Sequence, residues 1–247
     1  MAEIGALLGG KLARTKRQLQ QTTREITARQ LKKKTISVRL SQRLSQLTEE
    51  YQFLALGVES YRSVLHQIST IVHPFAVNGS GFQTGVDVQD ALRSLLPSLA
   101  ALGQTYQLTK IEKALEKFSC QINGIAAGIN LWWQVVSSNL VWEELDALTQ
   151  NWLVAYLLPE VYWFVQFDKT KNQDLRQVYQ KAYEKVHQQL LAQPLTLSLQ
   201  QVELSQWRDW ATMIVAKFQR TTSAIEGRNG YLSRLKLVAI ITAIFSL

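Results

Sequence analysis

The segment Phe218-Gln-Arg-Thr-Thr-Ser-Ala-Ile-Glu-Gly-Arg-Asn-Gly-Tyr-Leu-Ser-Arg-Leu-Lys236 is unlike the rest of the chain in the chemistry it gathers. Ser223 and Glu226 have capping-box spacing: the serine hydroxyl accepts the N–H of Glu226, and the glutamate carboxylate accepts the N–H of the serine. On the helix this predicts, Glu226, Asn229, Gly230 and Ser233 share one side, and Ile225, Leu232 and Leu235 share another. Arg228, Arg234 and Lys236 place positive charge around the acid. Taken by its residues alone, this is a capped terminal helix with a solvated, charged face.

Elsewhere the reactive residues are sparse. The single cysteine, Cys120, excludes a disulfide framework and a thiolate zinc cluster, and its apolar neighbours on a helix predict an inert buried thiol. His66, His73 and His187 are scattered without His-Glu-x-x-His spacing, which excludes that type of metalloprotease and predicts core or surface roles. No acid falls on a strand: Asp87 and Asp90 sit beside a loop and at a helix start, Asp146 and Asp174 read as helical, and Asp168 reads as linker before a helix over 175–191.

The elements that must position these groups are helical. Only 12 Gly and 4 Pro punctuate 247 residues, too few for the closely spaced turns of a sandwich or barrel, and the fold class is all-α. Ile4, Leu8, Leu12, Thr15, Leu19, Thr22 and Ile26 form one narrow seam. A stronger one, stepping by four and three without a miss, runs through Leu40, Leu44, Leu47, Tyr51, Leu54, Val58, Tyr61, Leu65, Ile68 and Val72. The two helices are expected to fold back as a hairpin about Lys32–Ser37; a homo-oligomer through the 40–72 seam would read the same way. His73-Pro74 ends the second helix, and residues 73–86 are the clear loop. Downstream, helices are expected over Asp87–Leu102, from Thr109 to Cys120 or beyond, over Leu175–Leu191 and over Leu199–Phe218, with Pro159 at a helix start or kink. Thr35–Val38 and Leu195–Leu199 are candidates for short extended pieces. The aromatic run from Trp132 to Phe164 recurs at helical spacing with few Lys or Arg between, which predicts core and not a base-stacking platform.

The formal charge of +8 is localised: residues 1–50 hold 11 Lys/Arg against 4 Asp/Glu, and the remainder 16 against 15. Arg14, Lys16, Arg17, Lys32, Lys33 and Lys34 are the candidate DNA contacts of this basic segment. No apolar stretch is both long and clean enough for a span of about 20 residues. The order of charge and apolarity at the start is the reverse of a secretory signal, so a soluble, cytoplasmic chain without a membrane partner is expected.

The block Ser-Ala-Ile-Glu-Gly-Arg-Asn-Gly-Tyr-Leu-Ser, preceded by Phe-Gln-Arg, resembles the C-terminal signature of insertion-sequence transposases with a ribonuclease H-like core and an Asp-Asp-Glu triad. The Trp-rich helices before it are similar, more loosely, to the helical insertion such transposases place ahead of the Glu helix. The resemblance implies that Glu226 is the third catalytic carboxylate. It makes Arg220, Arg228, Asn229, Arg234 and Lys236 supports or DNA contacts, and Mg²⁺ the cofactor of the complete family. The resemblance also implies a layout of basic helical hairpin (1–73), loop (74–86), helical insertion-type domain (87–220), Glu-bearing helix (221–236) and an apolar tail of aberrant origin (237–247). The ribonuclease H-like sheet is then largely absent. The expected object is a truncated transposase fragment, inactive alone and holding no cofactor by itself. The other class is a helical DNA-binding or coiled-coil interaction protein without catalysis.

Overall fold

The computed structural model describes residues 2–218, and every regular element among them is helical. The single β-type pairing in that range is an isolated antiparallel bridge between Phe75 and Phe82. Contacts divide the chain into two units, each made of two stretches: Met1–Gln67 with Ser94–Cys120, and Ile68–Arg93 with Gln121 onward.

In the first unit, α1 (Ala2–Leu31) and α2 (Val38–Ile71) run antiparallel, fixed by the Thr15 hydroxyl donating to Glu50 at 3.0 Å and by Gly5 lying against the Tyr61 ring. The seam is the one the spacing predicts. Ile4, Leu8, Thr15 and Thr22 are buried on α1, as are Leu40, Leu47, Leu54 and Tyr61 on α2, while the alternate seam positions Leu44, Tyr51, Val58 and Leu65 are half-buried. The buried Thr22 hydroxyl stays satisfied by donating back to the Gln18 carbonyl at 3.0 Å. Burial holds the Tyr61 phenol above its ordinary pKa. The turn between the helices starts with Lys33 in the left-handed region (φ 50°). Its N–H bonds Gln30 O, and that of Lys34 bonds Arg29 O, the paired bonds of a Schellman cap.

Asp87–Leu102 is not one helix. α3 (Gly85–Arg93) and α4 (Leu96–Thr105) are separate because Pro97, at the start of α4, cannot supply the N–H that a continuous helix needs. α5 (Ile111–Trp142) begins two residues after Thr109, with Lys110 at φ 64°, and runs far past Cys120. Its buried residues step through Ala114, Phe118, Ile122, Ala126, Ile129, Trp132, Val136 and Leu140. Cys120 lies two residues, about 200° of turn, from Phe118 and is exposed, which corrects its expected burial.

The second unit holds the main core. α6 (Ala147–Trp152), a π-turn (Leu153–Leu157) and α7 (Leu158–Lys169) follow without a break, with Pro159 in the first turn of α7. Asp168 therefore lies in the last turn of α7 and not in a linker. α8 (Gln173–Leu191) buries Tyr179, Ala182, Val186 and Leu190 at the predicted spacing. Leu195–Leu199 is not extended: it overlaps the short helix α9 (Pro194–Ser198), which Pro194 opens. α10 (Gln201–Ala216) buries Ala211, Ile214 and Val215 but leaves Val202 exposed. The aromatic run is core as expected, with Trp132, Trp152, Tyr162 and Trp163 buried. Trp142 and Phe164 are the exceptions, both exposed. The indole N–H groups of Trp132 and Trp152 reach Ile214 O and Thr196 Oγ1, which ties α10 and α9 to the centre.

Two of these helices begin on carboxylate caps. Asp87 accepts the Thr84 hydroxyl and N–H; Asp146 accepts the Thr149 hydroxyl and the N–H groups of Thr149 and Leu148. The hydroxyl bond first, and the backbone bond second, hold each carboxyl below its usual range. A lowered folded pKa means the contribution is complete above the ordinary carboxylate range and is lost as pH falls through the folded value. Asn is as good a cap as Asp but does not titrate. Asp146→Asn is therefore expected to shrink the loss of Tm on acidification while leaving the neutral Tm almost unchanged; thermal scans across the carboxylate range check this.

Candidate functional site

The residues predicted to do chemistry divide into two groups. Glu226, Arg220, Arg228, Asn229, Arg234 and Lys236 lie outside the described residues. Arg14, Lys16 and Arg17 lie on α1, and Lys32, Lys33 and Lys34 in the turn after it; all six are exposed. Arg17 sits about 170° around the helix from the α1 seam, and Arg24, seven residues on, repeats that position. The apolar stripe thus faces α2 while the basic one faces solvent.

Not every cation of the segment is free for a ligand. The Lys11 ammonium bonds the carbonyls of Tyr106 and Gln107 at 2.8 and 3.0 Å, capping the C-terminal end of α4. Arg29 pairs with Glu25 at 3.0 Å along α1. Glu3, the acid nearest the start of α1, pairs with Lys117 at 2.7 Å, and the hydrogen bond and charge of that ammonium hold its carboxyl below the ordinary value. Arg14, Lys16, Lys32, Lys33 and Lys34 make no ion pair among the described residues.

The acids of the described residues do not converge. Asp87 and Asp146 are helix caps, Asp90 is on α3, Asp168 on α7 and Asp174 in the first turn of α8. Among the described residues no group of three or more His, Cys, Asp or Glu side chains is placed to hold a metal ion.

One buried polar cluster escapes sequence reasoning. Glu160 on α7, almost wholly buried, accepts from His187 Nδ1 on α8 at 2.9 Å and from an Arg208 guanidinium nitrogen on α10 at 3.3 Å. Tyr183 lies against His187, with ring centroids 5.3 Å apart. Its phenol is held above the ordinary value by burial first and by the Glu160 carboxylate second. The residues are spread over 160–208 with no motif spacing, and only the packing of three helices brings them together. Its evident work is to join α7, α8 and α10 around one carboxylate.

His73 is likewise structural. It is fully buried, with Nδ1 2.5 Å from the Tyr162 hydroxyl and Nε2 2.9 Å from Ser69 O and 3.2 Å from the Tyr179 hydroxyl. Ser69 O can only accept, so the ring proton is assigned to Nε2, and Nδ1 accepts from Tyr162.

A family model described as a family of unknown function (DUF6399) matches residues 153–239. The matched stretch starts at the first residue of the π-turn, takes in α7 to α10 and continues across the Ser223–Ser233 block. No curated protein and no solved structure matches the chain. No described helix is long and apolar enough to cross a membrane.

Proposed function

We propose that the chain carries the helical part and the third catalytic carboxylate, Glu226, of an insertion-sequence transposase of the Asp-Asp-Glu type, and does not cut or join DNA by itself. The observation that supports this reading is the Ser-Ala-Ile-Glu-Gly-Arg-Asn-Gly-Tyr-Leu-Ser block at Ser223–Ser233, through its resemblance to the Glu-bearing signature of such transposases. The family match at residues 153–239 runs without interruption from the π-turn through α10 and across this block. Phosphodiester transfer of this kind uses two divalent metals about 4 Å apart, held by several convergent carboxylates. The described residues do not fit that demand: Asp87 and Asp146 are engaged as caps, Glu160 is engaged by His187 and Arg208, and no third acid joins any of them. A lone Glu226 binds Mg²⁺ no better than any surface carboxylate, because the ion gives up its water reluctantly. The carboxylates that complete the centre come from outside this chain's helices, and the site of action is cytoplasmic DNA.

Two experiments test this. DNA flanking the coding region, read in all frames, is expected to encode strand-forming sequence with two Asp codons upstream; its absence on both sides overturns the transposase assignment. The purified chain, incubated with supercoiled plasmid and Mg²⁺ or Mn²⁺, is expected to leave it intact. Nicking that disappears in Glu226→Gln would refute the claim of inactivity.

A second reading, a DNA-binding helical module without catalysis, is favoured by the exposed cations of α1 and its turn. Replacing Arg14, Lys16, Arg17 and Lys32–Lys34 by Glu is expected to abolish binding to duplex DNA. For the unaltered chain, log affinity should fall against log salt with a slope of about one unit per phosphate neutralised. Binding unaffected by charge reversal would remove α1 from the interface.

A further inference from the structure

At one end of the second unit, Glu143, Leu199, Glu203, Gln206, Trp207 and Trp210 line an open groove of ≈ 350 Å³. We propose that this groove takes an arginine side chain presented on a peptide segment of a partner protein. The lining is negative from independent sources and contains no Lys or Arg. Glu143 is exposed and makes no ion pair among the described residues; it stands one residue past the end of the 32-residue helix α5, where unsatisfied carbonyls carry partial negative charge. Glu203 is held in place by the capping box of α10: its Oε2 accepts the Gln200 N–H at 2.9 Å, which leaves the other oxygen for a ligand. Arg208, the one cation on α10, is turned away toward Glu160.

The aromatic groups select among cations. Trp207 and Trp210 stand edge to face, ring centroids 6.0 Å apart, on the side of α10 that also bears Glu203. The indole N–H of Trp210 finds no acceptor among the described residues. A metal ion needs several convergent oxygen ligands, whereas this lining has two carboxylates and one amide beside two indoles and Leu199, and no described group of three or more His, Cys, Asp or Glu is placed to hold an ion. A guanidinium stacks on indole faces and bonds carboxylates through its planar fork, the two kinds of wall present here. The groove is open and not a closed pocket, and Trp142, next to Glu143, is 86% exposed. This provides apolar surface for the residues that flank an arginine in a chain.

The test uses the full chain labelled with ¹⁵N-tryptophan, whose 7 indole N–H resonances are assigned with Trp207→Phe and Trp210→Phe. Acetyl-Gly-Arg-Gly-amide is expected to move the Trp207 and Trp210 resonances saturably, and the citrulline analogue, isosteric but neutral, is expected not to. The double variant Glu143→Gln/Glu203→Gln keeps a competent capping box, since Gln serves at that position as Glu does. It is expected to weaken the arginine peptide by roughly tenfold or more, as loss of two charge-assisted contacts implies. No movement, equal movement with citrulline, or an unweakened double variant overturns the proposal.

Discussion

His73→Leu is expected to destabilise the second unit by about 2–4 kcal/mol, read as a lower urea midpoint in far-UV circular dichroism. The substitution is close in volume and apolar, so burial is nearly conserved. What changes is the polar pairing at the centre of the core. The Tyr162 hydroxyl loses its 2.5 Å bond to His73 Nδ1, and the Ser69 carbonyl loses the His73 donor, keeping the Tyr179 hydroxyl at 3.0 Å. The imidazole also packs against Trp163 and Tyr179 with centroids 4.8 and 5.1 Å away, geometry that a leucine does not reproduce. Tyr162→Phe, which removes one hydroxyl but keeps the ring, is expected to cost only about 1 kcal/mol. In the double variant the two costs should fall short of their sum, because the partners share one bond. A His73→Leu cost below that of Tyr162→Phe would show that the ring is filler and not the hub of the network.

Gly85→Ala is expected to cost about 3 kcal/mol, while Gly124→Ala, on the helix that Gly85 contacts, stabilises by about 0.5–1 kcal/mol. Gly85 opens α3 directly against α5: its N–H donates to Asn130 Oδ1 at 2.8 Å. A methyl there would meet the Ala126 carbonyl oxygen at 2.3 Å and Asn130 Cγ at 2.7 Å. The first of these is backbone inside a regular helix and cannot swing aside. Relief therefore requires α3 to lift from α5, which breaks the Asn130 bond as well. Gly124 has nothing within 4 Å of where its Cβ would stand, so alanine there gains helix propensity without a clash. Equal and small effects at both positions would mean that α3 is not seated on α5 as described.

The seams were legible because burial in a helix pair leaves a periodic record. Even Thr15 and Thr22 are buried where the stripe demanded apolar groups, since their hydroxyls find Glu50 and Gln18. Helix limits were less so. The gap between α3 and α4 follows from Pro97, at the start of α4, although the acidic first turn at Asp87 reads as the start of one continuous helix. Leu195–Leu199 has the β-branched and apolar content of a strand, yet Pro194 and the Trp152 bond to Thr196 fix it as a helical turn. Asp168 read as linker because Lys169 to Gln173 is polar, but α7 extends through Lys169. The Glu160–His187–Arg208 cluster and the groove at Trp207 had no local signature. Each is assembled from helices separated in sequence, and single-helix periodicity reports which face is buried, not what it meets. The resemblance of the Ser223–Ser233 block was legible only as a motif, and it lies beyond the described residues.

The π-turn at Leu153–Leu157 has a consequence for insertions and deletions. There the N–H of Leu158 reaches back five residues to Leu153 O, so the turn holds one residue more than an α-helix would. Pro159 follows within the same uninterrupted rod, although in a regular helix its ring would press on the carbonyl four residues earlier. The wide turn removes that conflict, and the extra residue and the proline are thus a coupled pair. Deleting the exposed Ala155 would restore α-helical pitch with both flanks in register but drive the proline into the preceding turn. Deleting it together with Pro159→Ala would remove the obstacle as well. A sequence can shed the extra residue after losing the proline, but not before.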